Sequence, residues 1–298
     1  MLSALMPVDV HPEGLDVHIE HVDFEGVDPE VDLSQVGFYV PPYMGPRSGL
    51  EVIARMPSLQ VVQLLTVGFD AALPYVSDHV TLCNAVGVHD AGTAELAVAL
   101  TLASLRGIDD FARAMPEGQW LHARRPALVD SRVLVVGAGG VGAGIAARLA
   151  PFDVDVTVVG RTRRGGVHAR DDLPGLLPAA DVVILAVPLN ASTTRMVDEA
   201  FLSGMRDGAL LVNVARGAVV DTDALVRHLH LGRIRAALDV TDPEPLPPDH
   251  PLWRAPGVLV SPHVGGNTTA FTPRAARLVE RQVRRWRDGE PLDHVVTR

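Results

Sequence analysis

One stretch limits the folds open to this chain more than any other. The apolar run Val133–Val136 enters Gly137-Ala138-Gly139-Gly140-Val141-Gly142, and Val141–Leu149 then reads as helix. A Gly-x-Gly-x-x-Gly turn set between strand and helix has the geometry of a dinucleotide site. Its first glycine allows the tight turn, its second lets a pyrophosphate approach the backbone, and its third lets helix pack on strand. The pyrophosphate would sit at the helix N-terminus, where free amides and the helix dipole favour an anion. A glycine turn by itself is a weak signal, and here the strand–helix context carries the reading. Gly137, Gly139, Gly140, Val141 and Gly142 are the first candidates for cofactor binding.

The rest of the chain has a matching rhythm. Val154–Val159, Asp181–Val187, Ala209–Val214, Ile234–Asp239 and Val258–Ser261 are short apolar runs separated by helical segments. Strand–helix alternation of this kind builds a doubly wound parallel sheet of the α/β class. Upstream, Val17–Val22 alternates like a strand, Val36–Val40 runs into Pro41-Pro42, Leu50–Met56 resembles a helix, and Gln60–Thr66 reads as another strand. That is a second, smaller α/β unit. Thr93–Arg106 is a helix apolar around nearly its whole circumference, which demands burial on all sides. Three settings satisfy that demand: between domains, across a dimer interface, or in the core of one domain. Arg274–Asp288 is an amphipathic, arginine-rich helix with one solvated face.

Composition narrows the chemistry. A net charge of −10 argues against nucleic acid as a partner, because neutralising phosphates needs a basic surface. All 26 basic residues are arginine, so Schiff-base and lysine general-base chemistry are excluded. Cys83 is the single cysteine, which rules out an intramolecular disulfide and suits a buried thiol in a reducing compartment. The first basic residue is Arg47, so no leader peptide is expected, and no apolar run reaches the length of a membrane span. A cytoplasmic protein without membrane partners is the expectation. The histidines show no metal-type spacing. His228-x-His230 lies on a helical stretch where positions two apart diverge, so that pair is expected at the surface, and no metal is expected.

Three further strings follow the glycine turn in order: Val212–Asp221 (VNVARGAVVD), Leu238–Leu246 (LDVTDPEPL) and Ser261–Gly266 (SPHVGG). They place Arg216, Glu244 and His263 downstream of a dinucleotide site. Together these supply what reduction of a 2-keto acid needs: a hydride source, a cation for the carboxylate, and an acid held by a carboxylate. Taken singly, each has a plainer reading as an ion-pair partner, a loop acid or a loop histidine. From about Gln60 to about Gly265 the motifs resemble the D-isomer-specific 2-hydroxyacid dehydrogenase family, in type nearest to glyoxylate and hydroxypyruvate reductases.

The resemblance implies two Rossmann-like α/β domains with parallel sheets and a substrate cleft between them. Residues 1–90 and 270–298 would form the substrate-binding domain, and residues 91–269 the dinucleotide-binding domain. Arg216 looks like the arginine that binds the keto acid, a task suited to its planar donor fork. His263 resembles the proton donor to the carbonyl oxygen, and Glu244 the carboxylate that orients it. Asp239 matches an aspartate beside the nicotinamide carboxamide. Val67 and Gly68 resemble a loop whose amides bind the substrate carboxylate. Val187, Pro188, Thr193, Val214 and Ala215 complete the expected cofactor-binding set. Tyr39 falls where small-substrate reductases place an aromatic over the cleft, with packing in the N-terminal core as the alternative. The expected substrates are small 2-keto acids of the glyoxylate, hydroxypyruvate or pyruvate type, and the expected assembly is a homodimer.

Cofactor choice turns on one departure from the commoner family pattern. An NAD-selective site places an acid about 20 residues past the glycine turn, where it accepts bonds from the ribose 2′-hydroxyl. This chain has Gly160 followed by Arg161, Thr162, Arg163 and Arg164. Removing the acid leaves room for a 2′-phosphate, and guanidinium–phosphate contacts are charge-assisted. NADPH is therefore the expected cofactor, with NADH possible and Arg161 the leading contact. Formate dehydrogenases carry glutamine where Glu244 stands, and phosphite dehydrogenases depend on a lysine this chain lacks. A short-form phosphoglycerate dehydrogenase stays open, as does a nucleotide-sensing corepressor on the same scaffold. Turnover of a keto acid separates the corepressor from the enzymes.

Overall fold

The computed structural model describes residues 3–10, 17–23, 27–28 and 30–297. The chain divides into two compact units, 1–89 with 269–298 and 90–268. The first holds strands β1 (Ser3–Pro7), β2 (His18–Val22), β3 (Val36–Tyr39), β4 (Val61–Gln63) and β5 (Thr81–Cys83), with the short helix α1 (Ser48–Glu51). They form a five-stranded sheet in the order β2-β1-β3-β4-β5, every pair parallel.

Because β3 is an interior strand covered on both faces, successive side chains enter opposite cores. Phe38 joins Ala4, Met6 and Val61 beneath the closing helix Phe271–Asp288, whereas Tyr39 joins Leu5, Ile53, Leu59 and Val62 on the other face. Buried glutamines tie the closing helix to the sheet: Gln282 donates to Gln63 Oε1 at 2.7 Å and to the Asp293 carbonyl at 2.9 Å. Close approach matters too, since a Cβ on Gly37 would stand 2.6 Å from the Trp286 ring. Cys83 lies buried in this unit, and burial pushes its thiol pKa up to about 11.

The second unit opens with α2 (Asp90–Arg106) and α3 (Ile108–Ala114). It then alternates β6 (Arg132–Val136), α4 (Gly140–Leu149), β7 (Asp155–Gly160), β8 (Val167–Ala169), α5 (Leu173–Leu176), β9 (Val182–Leu185), α6 (Glu199–Gly204), β10 (Leu210–Asn213), α7 (Thr222–His230), β11 (Arg235–Leu238) and β12 (Val258–Val260). The strands form one parallel seven-stranded sheet in the order β12-β11-β10-β9-β6-β7-β8. Strand succession runs outward from β6 in one direction and from β9 in the other. The topological switch point, where such sheets bind ligands, is thus the carboxyl edge between β6 and β9.

Both faces of this sheet are buried, with period-two alternation. Val133 and Val135 join Ile145, Val182 and Ile184 on one side, while Leu134 and Val136 join Leu185, Leu202 and Leu225 on the other. The apolar helix α2 packs on α4 and on β10, β11 and β12, so within this unit it is a core helix. His228 corrects the surface expectation for the His228-x-His230 pair. His230 is exposed, but His228 is buried on α7, with Nε2 2.7 Å from Glu199 Oε1. Among the described residues, no single helix is long and apolar enough to cross a membrane, and no cluster has the makings of a metal site.

Candidate active site

The glycine turn leaves β6 at the switch point, and its steric constraints match its expected task. Gly137 adopts φ 130°, and a Cβ there would lie 2.2 Å from the Ala186 carbonyl oxygen just past β9. A Cβ on Gly142 would lie 1.8 Å from the Gly137 carbonyl oxygen, so helix and strand meet without room for a side chain. Gly139, by contrast, faces open space, and as N-cap of α4 it makes no side-chain capping bond. The approach at Gly139 is therefore clear of side chains, which fits a pyrophosphate at the start of the helix.

The loop after β7 is more committed than its run of arginines suggests. A Cβ on Gly160 would come 3.0 Å from Val167 Cγ1 and 3.3 Å from Ala138 Cβ. A side chain at 160 would therefore press on Val167 and Ala138, which must give by a few tenths of an ångström to admit it. Arg163 forks onto Asp172 at 2.9 and 2.8 Å, and Asp172 also accepts from the Ala169 amide at 2.8 Å. Arg164 reaches back to the Ala138 carbonyl oxygen of the glycine turn at 3.2 Å. Arg161 makes no hydrogen bond or ion pair with a described residue, and both it and Thr162 are exposed. Past β9, Val187 is half-buried and Pro188 exposed, while Thr193 is buried with its hydroxyl donated to the Pro188 carbonyl at 2.6 Å. Thr193 shapes this loop from within.

The expected catalytic residues leave the same carboxyl edge from adjacent strands. In register, Asn213 of β10 pairs with Leu238 of β11, and Leu238 with Val260 of β12. Arg216, Asp239 and His263 lie a few residues beyond these ends. Arg216 is half-buried, its Nη1 2.7 Å from the Ala215 carbonyl oxygen. Val214 and Ala215 are buried beside it. Asn213 brackets the segment, accepting from the Ala215 amide at 3.0 Å and donating to the Arg216 carbonyl at 3.1 Å. The next residue must be glycine, since a Cβ on Gly217 would lie 1.8 Å from the Thr241 carbonyl oxygen. This contact sets the Arg216 segment against the loop that carries Glu244.

His263 Nδ1 lies 2.5 Å from Glu244 Oε1, and Glu244 Oε2 accepts from the Thr241 amide at 3.4 Å. The pair is partly exposed, and with Nδ1 engaged, Nε2 is the nitrogen left to meet a substrate. The histidine holds φ 53°, a left-handed backbone that β-carbon residues seldom adopt and that concentrates at functional sites. Asp239 holds this backbone in place. It is buried, and its carboxylate accepts from Ser261 Oγ at 2.6 Å and from the Val264 and Gly265 amides at 2.9 Å each. Its own carbonyl accepts from the His263 amide at 2.8 Å. The aspartate expected beside the nicotinamide is therefore a strut of the histidine loop. Asn213 and Ser261 escaped the sequence reading; their one signal is a polar side chain closing an apolar strand.

In the first unit, Val67 is exposed in the loop after β4. Thr66 Oγ1 donates to the Gly68 carbonyl at 2.7 Å, and Asn84 Nδ2 to the Val67 carbonyl at 3.0 Å. Tyr39 requires a correction. It is fully buried, its hydroxyl donates to the Gly49 carbonyl at 2.7 Å, and burial raises its pKa. An interior strand forces this ring into the core, so it cannot line a substrate.

A parallel sheet with a glycine-rich turn at its switch point and a carboxylate-held histidine on the same edge defines a dinucleotide-dependent enzyme. Residues 98–265 match the model of the D-isomer specific 2-hydroxyacid dehydrogenase NAD-binding domain. The chain is 36% identical over 248 residues to a glyoxylate reductase of Thermofilum pendens, covering 78% of this chain and 73% of that protein. It is 33% identical to glyoxylate/hydroxypyruvate reductase B of Citrobacter koseri, covering 73% of this chain and 71% of that one. A D-isomer specific 2-hydroxyacid dehydrogenase from Xanthobacter autotrophicus Py2, solved with NADPH and MES, superimposes with a TM-score of 0.79 at 31% identity, over 99% of this chain and 98% of the other. The chain belongs to the D-isomer specific 2-hydroxyacid dehydrogenase family. It is a nicotinamide-dependent oxidoreductase acting on the CH–OH group of 2-hydroxy acids.

Proposed function

We propose that this enzyme reduces a small 2-keto acid, of the glyoxylate, hydroxypyruvate or pyruvate type, with NADPH as the preferred cofactor. The observation that carries the reading is the 2.5 Å contact between His263 Nδ1 and Glu244 Oε1, on the sheet edge that also carries Arg216. A bound nicotinamide supplies the hydride. Arg216 holds the carboxylate and polarises the carbonyl through its donor fork. His263 donates a proton from Nε2 to the carbonyl oxygen as the alcohol forms, and Glu244 keeps the imidazole oriented through Nδ1. The amides of Val67 and Gly68 are our further assignment for the carboxylate.

The preference for NADPH rests on the missing acid at Gly160 and on Arg161, exposed and without a partner among the described residues. The NADPH in the Xanthobacter relative accords with it. A homodimer is our reading of the assembly, supported by the apolar surface around α3, where Met115 is 75% and Trp120 92% exposed beside Ile108 and Leu121. The test is a panel of 2-keto acids followed by nicotinamide absorbance with each cofactor in turn. Small keto acids should turn over fastest, with NADPH giving the higher kcat/KM. No turnover of any keto acid with either cofactor would refute the proposal.

A further inference from the structure

The fourth residue of the glycine turn has no side chain, and a carboxylate takes its place. A Cβ built on Gly140 would lie 1.7 Å from Oδ2 of Asp90 and 2.7 Å from its Cγ. Any other residue at 140 would require the Asp90 carboxylate to swing aside. Asp90 opens α2 and Gly140 opens α4, and the two helices pack closely: a Cβ on Gly144, one turn further along α4, would meet Ala94 Cβ at 3.1 Å and the Asp90 carbonyl oxygen at 3.7 Å. The half-buried Asp90 side chain thus rests against the first residue of the helix whose amide end faces the dinucleotide. Helix amides and dipole favour one anion there, and a carboxylate in place repels the next.

We propose that Asp90 sets the affinity of the dinucleotide site, its carboxylate opposing the pyrophosphate of either nicotinamide cofactor and so speeding cofactor exchange. The proposal rests on the dinucleotide's binding at the glycine turn. Release of a bound product commonly limits turnover in enzymes that close over their ligands, so a site that binds its cofactor less than maximally tightly can turn over faster. Because NADH and NADPH share the pyrophosphate, Asp90 penalises both alike, in contrast to the arginine loop that reads the 2′-phosphate. Because the effect is coulombic between partly solvated charges, salt must erode it.

The experiment measures dissociation constants of NADPH, NADH and adenosine for the full chain, by calorimetry at low salt and at about 0.5 M salt, where screening is short-ranged. Asp90→Asn keeps the shape and hydrogen-bonding capacity of the side chain while removing the charge; Asp90→Ser removes charge and bulk, and thermal unfolding checks that each folds. At low salt both variants should bind both dinucleotides about ten-fold more tightly than wild type, as expected from removing one charge near a dianion in high dielectric. The gain should shrink at high salt, the NADPH-to-NADH ratio should hold, and adenosine should bind all three proteins equally. Folded variants with unchanged or weaker dinucleotide affinity, beside a wild type that binds normally, would overturn the proposal. A wild type that binds neither dinucleotide would instead overturn the reading of the turn itself.

Discussion

Glu244 Oε1 stands 2.5 Å from His263 Nδ1, joining two loops that leave adjacent parallel strands nineteen residues apart in the chain. The contact fixes which imidazole nitrogen faces outward. Removing the acid with His263→Gln should lower kcat by roughly 10²–10⁴, the range of general acid–base catalysis. Glu244→Gln keeps a bonding partner but loses the charge, so its loss should be smaller. The double variant should lose little more than His263→Gln alone, because the two act as one unit. Steady-state reduction of glyoxylate reads all three, and near wild-type kcat in His263→Gln would end the assignment.

Arg216→Lys retains the charge and loses the planar fork. Two bonds directed at a carboxylate and carbonyl become one point charge, so kcat/KM should fall by about 10² or more. An unchanged kcat/KM would assign Arg216 to structure alone.

Asp239→Ala tests the strut. Its loss leaves the buried Gly265 amide and the half-buried Val264 amide without their acceptor, costing about 1.5–3 kcal/mol for bonds to a charged group. Calorimetric Tm should drop by several degrees and kcat should fall with it, since His263 loses its backbone support. A variant with reduced kcat but unchanged Tm would indicate direct contact with cofactor or substrate.

In the arginine loop, Arg161→Ala should raise KM for NADPH about ten-fold while leaving NADH nearly untouched, the scale of one charge-assisted phosphate contact. Arg163 is already forked onto Asp172, so Arg163→Ala should discriminate less. The opposite ranking would show that Arg163 leaves Asp172 when the cofactor binds.

Two buried groups of the first unit make quieter expectations. With the Cys83 thiol pushed up to about 11, only about one molecule in a thousand is thiolate at pH 8, so native protein should resist alkylation there. The group's pKa is raised, so reactivity should grow as pH climbs toward 11 and appear at once on unfolding. Tyr39→Phe should cost about 1–3 kcal/mol by stranding the buried Gly49 carbonyl, with the order of substrate preference unchanged. A reordered preference in urea-stable protein would return Tyr39 to the substrate.

Much of this molecule was legible in local pattern. The glycine turn, the apolar strand runs and the strings around Arg216, Glu244 and His263 are read from neighbours a few residues apart. Such spacing is enough to specify a parallel α/β sheet and the residue types on its carboxyl edge, because strand and helix periods impose their own hydrophobic patterns. Tertiary structure decided where individual side chains went. Tyr39 entered a core because β3 lies between β1 and β4, which no spacing within β3 reveals. Arg163 lost its freedom to Asp172, His228 found Glu199, and Asp239 turned inward to the loop of His263. The Asp90 carboxylate came to rest on Gly140, fifty residues away, because α2 and α4 pack on one sheet face. Each is a contact between segments far apart in sequence. Its existence depends on strand order and helix placement, which local propensity does not encode.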